Sequence, residues 1–158
     1  MSKPRYRILT TDELQELEKE FVEFLVVNGV TAPEWQRMKQ ERKQDADQML
    51  VLFSDVVFEG IMRKTQFLEW WEPSGIRTFH CLKEEIIQVG VEAKPGSPFN
   101  FLKQSLKEIL DHPEALSVYQ TSKPYHNTRE LEIFNMMEQG CQRTDGALYK
   151  KICMLLAD

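Results

Sequence analysis

Apolar residues recur at every third or fourth position through the N-terminal part of the chain, which predicts three amphipathic helices. The first helix begins after Thr10, whose side chain can form a capping box with Glu13, and it ends at Gly29. A second helix is predicted from residue 31 to about residue 42, and a third from about residue 45 to 63. The apolar faces of these helices predict a buried N-terminal core.

The periodicity then changes to the alternation that is typical of strands. Residues 65–71, 76–82 and 85–93 are rich in aromatic and β-branched side chains, and they predict an antiparallel meander of three strands. In the third strand, apolar residues such as Val89 alternate with residues such as Gln88. One face of the sheet should therefore be exposed to solvent, and the helices should pack mainly on the other face.

The C-terminal part of the chain predicts three more helices and one possible strand. A helix over residues 97–112 would be capped by Ser97, and residues 116–121 could form a fourth strand. Two further helices are expected over residues 127–140 and 145–157. The fold class is therefore α+β, an antiparallel sheet of three to four strands with about six helices, because like elements are grouped together along the chain.

The chain has 158 residues and a mass of 18.6 kDa, which is the size of one ordinary domain. We interpret residues 1–158 as a single domain with N-terminal helices at about 11–63, a meander at about 65–93 and C-terminal elements at about 97–157. A domain of this length buries about 70% of the surface that its unfolded chain exposes. Because that burial is sufficient for stability, neither a structural metal nor disulfides are needed, and stability gives no indication of a cofactor. We expect none.

Charge and composition exclude several classes of partner. Acidic residues outnumber basic ones by 25 to 20, which argues against a nucleic-acid-binding protein. No apolar run approaches the roughly 18 residues of a membrane span, and no signal peptide is evident, so we expect a cytoplasmic protein without membrane contact. The three cysteines, Cys81, Cys141 and Cys153, lack paired spacing and are expected to be reduced thiols. A basic arm that includes Arg5 and Arg7 should pair with nearby acidic residues.

The chain lacks the common sequence motifs that indicate catalysis. It contains no glycine-rich phosphate loop, no nucleophile elbow and no HExxH motif, and its histidines and cysteines lack the spacing of metal ligands. Enzymatic activity is therefore left undecided, with a non-catalytic protein favoured and no metal site expected.

An aromatic cluster in the first strand is the most unusual local feature. Trp70 and Trp71 are consecutive, so they must point to opposite faces of the sheet. If Trp70 points inward, then Phe67, Glu69 and Trp71 form an exposed patch, beside either Arg77 or His80 according to the register. We predict that Phe67, Glu69, Trp71 and Arg77 bind a protein partner, either a second copy in a homodimer or another protein. The alternative, in which helices cover both faces of this strand, stays open.

A second hypothesis is an enzyme or small-ligand-binding protein. Asp55 and Glu59 are four residues apart on one side of the third helix, and they could converge with Glu69 and with His80 or His112. Such a pocket between the helix and the sheet would gather carboxylates with a histidine, which are groups that serve acid–base chemistry.

Three segments carry a resemblance to a known family. They are Leu52-Phe53-Ser54-Asp55-Val56-Val57-Phe58-Glu59-Gly60, then Phe67-Leu68-Glu69, and then Thr78-Phe79-His80-Cys81. With these segments the chain resembles a family of short uncharacterised bacterial proteins of the Bacteroidetes type, a domain of unknown function. The resemblance implies a cytoplasmic bacterial protein and brings no functional residues with it.

Overall fold

The structure is a computed structural model that describes residues 3–157. The chain divides into two compact units, which we call unit 1, up to Ile61, and unit 2, from Met62 onward. The boundary falls near the C-terminal end of a long helix, so the division does not coincide with a loop.

Unit 1 is helical, as the periodicity predicts, but the predicted first helix is divided into two. Its helices are α1 (Thr11–Glu16), α2 (Glu18–Val27), α3 (Ala32–Glu41) and α4 (Lys43–Lys64), the last of which continues past the boundary. Leu17 interrupts the first predicted helix because its backbone, at φ −106° and ψ 21°, departs from helical geometry. The capping box of Thr10 with Glu13 is confirmed.

The core of unit 1 forms where these helices meet. Leu25, Val30, Met38 and Ala46 are buried there, and the Phe21 ring packs beside them. The edge of the Trp35 ring meets the Phe21 ring with 5.1 Å between centroids. Aromatic contacts of this kind add specificity to burial.

Unit 2 contains a five-stranded antiparallel sheet in the order β4-β3-β2-β1-β5. The strands are β1 (Phe67–Glu72), β2 (Gly75–Cys81), β3 (Glu85–Ala93), β4 (Leu116–Pro124) and β5 (Gln142–Thr144), and the helices are α5 (Leu106–Leu110), α6 (Arg129–Glu138) and α7 (Ala147–Ala157). The antiparallel meander and the α+β class are confirmed. The described residues thus contain five strands and seven α-helices, whereas the sequence predicts three to four strands and about six helices.

The helix predicted over residues 97–112 is mostly wrong, because only α5 forms there. The Asn100 side chain accepts a hydrogen bond from the Leu102 N–H at 2.9 Å, and the Asn100 N–H donates to the Gln104 side chain at 2.6 Å. Local bonds of this type give the backbone an alternative to helical hydrogen bonding. A short 3₁₀ turn, Pro113–Ala115, then leads into β4.

Helices lie on both faces of the sheet, which corrects the expectation that they pack mainly on one. On the first, the α7 face, Ile76 and Val89 are buried in one core cluster with Ile152 of α7. On the second, the α6 face, Phe79 lines a groove with Met136 of α6. The reason is that β1 and β2 carry apolar side chains on both faces, and each face is removed from water by a helix that packs on it.

Arg129, the first residue of α6, holds several elements of unit 2 together. Its guanidinium donates to the carbonyl oxygens of Met62 at 3.0 Å, Cys81 at 3.1 Å and Leu82 at 3.1 Å, and also to that of Thr65. Only 14% of the side chain is exposed. One largely buried cation thereby binds carbonyls at the end of α4 and at the end of β2.

We predict that Arg129→Met lowers the free energy of unfolding by about 3 kcal/mol or more, because each buried carbonyl left without a donor costs about 1–3 kcal/mol. Urea unfolding of the variant checks this, with Arg143→Met as the control because Arg143 is an exposed residue of β5. Equal midpoints for the two variants would contradict the assigned role of Arg129.

Candidate functional site

The two consecutive tryptophans point to opposite faces of the sheet. Trp71 pairs with Ile76 and lies on the α7 face, whereas Trp70 pairs with Arg77 and lies on the α6 face. The turn at Gly140 packs against the Trp70 ring, since a Cβ at that glycine would come within 2.6 Å of the ring. The predicted separation of the indoles is therefore confirmed.

The predicted partner-binding residues do not all share one face. Phe67, Glu69 and Trp71 lie together on the α7 face, where their neighbours on β2 are His80, Thr78 and Ile76. Of the two registers that the sequence leaves open, the structure has the one with His80. Arg77 consequently lies on the opposite face of the sheet from the other three.

Phe67 is buried, with only 8% of its surface exposed, which corrects the expected exposed Phe/Trp pair. Its ring stacks on the His80 imidazole with 4.4 Å between centroids and also contacts the Tyr149 ring at 5.5 Å. Gly146, at the start of α7, lies directly against the Phe67 ring. The cover comes from α7, a helix that the sequence predicts without showing where it packs.

Trp71 remains partly exposed, at 38% of its surface. Its indole Nε1–H donates to Glu69 Oε1 at 3.0 Å. This hydrogen bond favours one orientation of the indole, whose apolar ring lies partly at the surface.

Trp71 forms part of a cleft of about 760 Å³, which we call the Trp71 cleft. The apolar side chains that line it are Trp70, Trp71, Phe101, Leu102 and Leu106. Leu102 is 57% exposed, so the cleft brings two incompletely covered apolar side chains together. Its size lies within the roughly 300–1,000 Å³ of ligand-binding pockets.

Glutamines supply much of the polar lining of the Trp71 cleft. Gln104, Gln139 and Gln142 line it, and Glu69 is the one charged lining residue in the part of the chain that the structure describes. β5 begins at Gln142, opposite Glu69, so strand pairing along this edge of β1 does not reach Trp71. The cleft can therefore offer apolar contact together with amide hydrogen bonds.

Arg77 lines a separate groove of about 400 Å³ on the α6 face, together with Phe79 and Met136. Its guanidinium lies 3.4 Å from a carboxylate oxygen of Glu72, and the two side chains are 48% and 34% exposed. An exposed pair of this kind contributes little to stability.

Asp55 and Glu59, two residues of the hypothetical ligand pocket, have partners within unit 1. The Arg5 N–H donates to Asp55 Oδ1 at 2.9 Å, and the Arg5 guanidinium donates to Glu59 Oε2 at 3.2 Å. The Tyr6 hydroxyl also donates to Glu59. The expected pairing of the basic arm with acidic neighbours is confirmed, and it engages both carboxylates.

The other two residues of that hypothesis, Glu69 and His80, belong to unit 2. Burial lowers the pKa of His80, and the nearby positive charge of Lys150 lowers it further. His80 is therefore uncharged at neutral pH, stacked on Phe67 beneath α7. The Tyr149 ring meets the imidazole edge-on, so aromatic rings contact this partly buried histidine on two sides.

The lowered pKa of His80 makes stability depend on pH. Below the ordinary value of 6.5 the unfolded chain binds this proton before the folded chain does, so the free energy of unfolding should fall as the solution is acidified. The His80→Phe variant keeps a flat ring against Phe67 but cannot bind this proton. We expect its free energy of unfolding to change less with pH between about pH 7 and pH 5.5 than that of the wild type. Urea unfolding at several pH values measures it, and the exposed His126→Gln variant should keep the wild-type slope. An unchanged slope in His80→Phe would contradict this assignment.

The cysteine thiols are free. Burial raises the pKa of Cys81 to about 12, and burial also raises the pKa of Cys141. A thiol with a raised pKa is a weak nucleophile at neutral pH because little thiolate forms. Neither environment therefore resembles that of a catalytic cysteine.

Residues 3–157 lack two features that would indicate a class of protein. They contain no group of three or more histidine, cysteine or acidic side chains placed to hold a metal ion. Within the same residues, no helix combines the length and the apolar character that crossing a bilayer requires.

The fold and the site thus define an α+β protein with an apolar cleft at one edge of an antiparallel sheet. The chain belongs to a family of unknown function (DUF6495), whose model matches residues 1–157. The expected membership of a domain of unknown function is confirmed. No curated protein and no solved structure matches the chain.

Proposed function

We propose that the protein acts in the cytoplasm by associating with another protein, whose extended apolar segment occupies the Trp71 cleft. The observation that supports this proposal is that Trp71 and Leu102, both incompletely covered, line one cleft of suitable size. Exposed aromatic and aliphatic side chains around a concavity are typical of protein-binding surfaces. The association requires no cofactor, and neither nucleic acid nor membrane is the partner.

The backbone of β1 supports an extended partner segment. Cys81 donates its N–H to the Gln66 carbonyl on the β2 side, so Phe67, Glu69 and Trp71 direct their peptide groups to the β5 side. Because β5 stops opposite Glu69, a segment placed beside Trp71 would continue the row of β5. Peptides that add to a free sheet edge in this way gain main-chain hydrogen bonds.

The charge of the cleft indicates the composition of the partner segment. Glu69 is the charged residue among those that line the Trp71 cleft in residues 3–157, so a lysine or arginine beside the apolar anchor would complement it. Phe67 does not take part, because it is buried, and Arg77 lies on the other face.

Self-association through the same cleft is the other form of this proposal, with a second copy as the partner. The competing ligand pocket of Asp55, Glu59, Glu69 and His80 has less support. Asp55 and Glu59 already accept hydrogen bonds from Arg5 and Tyr6, so their carboxylates are engaged.

Selection of a displayed peptide library on the immobilised protein tests this proposal. We expect enrichment of peptides that combine a large apolar residue with a neighbouring lysine or arginine. Trp71→Asp and Leu102→Asp should each weaken binding of a selected peptide at least about tenfold, which is about 1.4 kcal/mol. Fluorescence anisotropy of the labelled peptide measures the dissociation constants.

Val27→Asp is the matched control, because Val27 is an apolar residue of unit 1 that is 84% exposed. It should bind the selected peptide as the wild type does. Peptides that bind Trp71→Asp and wild type equally would refute the role of the cleft. A fall in the solution mass of Trp71→Asp relative to the wild type would favour the homodimer form.

A further inference from the structure

The edge of the sheet farthest from the Trp71 cleft is formed by β4. In the part of the chain that the structure describes, no strand pairs with the outer side of β4. Residues 120–124 are all exposed. An edge strand of nine residues presents a row of peptide groups to which another strand can bind.

The hydrogen bonds of β3 show which peptide groups of β4 point outward. The Ala93 N–H donates to Ser74 on the β2 side, and the Lys94 N–H donates to Ala115 on the β4 side. Because the two directions alternate along a strand, odd-numbered residues of β4 bond to β3. The residues that direct their N–H and C=O groups outward are therefore Leu116, Val118, Gln120 and Ser122.

β4 lacks the features that protect the other edge of the sheet. β5 is only three residues long and carries the charged Arg143. Residues 116–122, in contrast, carry no charged side chain, and only Lys123 and Pro124 interrupt the strand at its end. Natural edge strands normally carry charges, prolines or bulges that prevent pairing, so an unprotected edge indicates that pairing is used. Pro124, an even-numbered position, has no N–H to direct outward, and it marks where pairing would stop.

A second observation points to the same edge. α7 begins over β1, where Gly146 lies against Phe67, and it also contacts β4. It therefore crosses the α7 face toward β4, and its C-terminal half carries Met154, which is 68% exposed, and Leu156, which is 36% exposed. Exposed apolar side chains thus accompany the unprotected strand.

We propose that β4 pairs antiparallel with β4 of a second copy, so that two five-stranded sheets join into one. With the two-fold axis at Gln120, Val118 faces Ser122 of the other copy and Lys123 faces Ser117, so no like charges meet. Because that axis is perpendicular to the sheet, both α7 helices lie on the same face of the joined sheet. Met154 and Leu156 of one copy then approach those of the other, which removes apolar surface from water.

Solution mass and amide exchange together test this pairing on the full chain. We expect the wild type to have twice the monomer mass of 18.6 kDa by light scattering. The amides of Val118, Gln120 and Ser122 should then be protected from hydrogen exchange. A wild-type monomer at the concentration of the exchange experiment would overturn the proposal, and so would a dimer in which these three amides exchange freely.

Two variants disrupt the outer side of β4 without removing a bond to β3. Gln120→Lys places two lysines opposite each other across the axis, and Ser122→Pro removes an outward N–H. Each should raise the dimer dissociation constant at least about tenfold. Thr121→Lys is the matched control, because its side chain would face Tyr119 of the other copy, and it should remain dimeric. Persistence of the dimer in both disruptive variants would overturn the proposal.

Protection of the Tyr119 and Thr121 amides, which bond to β3, shows that β4 is folded in every variant. Trp71→Asp separates this inference from the proposed function, since it should leave the dimer intact. A dimer lost in Trp71→Asp but kept in Ser122→Pro would overturn β4 pairing and favour self-association through the Trp71 cleft.

Discussion

The hydrogen bonds of the largely buried Arg129 guanidinium are the interaction on which the architecture of unit 2 most depends. The carbonyls that it binds lie at the end of α4 and at the end of β2. Met62 and Leu82 also accept from the Thr65 N–H and the Tyr125 hydroxyl, so the carbonyls of Thr65 and Cys81 depend most on Arg129. Arg129 is also the first residue of α6, so the same side chain fixes where that helix starts relative to the sheet. The groove on the α6 face and the turn at Gly140 follow from that position.

The sheet itself is constrained by having two apolar faces. Leu68 of β1 and Ile76 of β2 lie on opposite faces of the sheet, and both are almost fully buried. Covering both faces leaves the edges as the places where apolar surface and unpaired peptide groups remain together. One edge has the Trp71 cleft beside a strand that ends early, and the other has the uncharged β4 beside Met154.

Elements with strong periodicity could be predicted from the sequence, and those that depend on tertiary packing could not. The helix caps at Thr10 and Thr31 are local signals, and both appear in the structure. The alternation of β3 predicted a strand, which forms, but not a solvent-exposed face, because Ile86 and Gly90 on that face are buried as well. β5 has only three residues, too few for an alternation of apolar and polar side chains to predict a strand. The helix predicted around Asn100 does not form, because the Asn100 side chain accepts a hydrogen bond from the backbone there. For the site, the sequence predicted that the tryptophans diverge, but burial of Phe67 depends on α7, which is 80 residues away in the sequence. The sequence did not single out Leu102 as a site residue, because Leu102 lay on the apolar face of a predicted helix.

Gly146 has a wider consequence for how the chain can vary. Its φ of +84° is one that residues with a side chain seldom adopt, and a Cβ there would come within 2.5 Å of the Phe67 ring. A smaller residue at 67 would remove the steric conflict but not the backbone requirement. Both the backbone angle and the neighbouring ring thus oppose substitution at residue 146, so evolution has little freedom to change the place where the last helix docks onto the first strand.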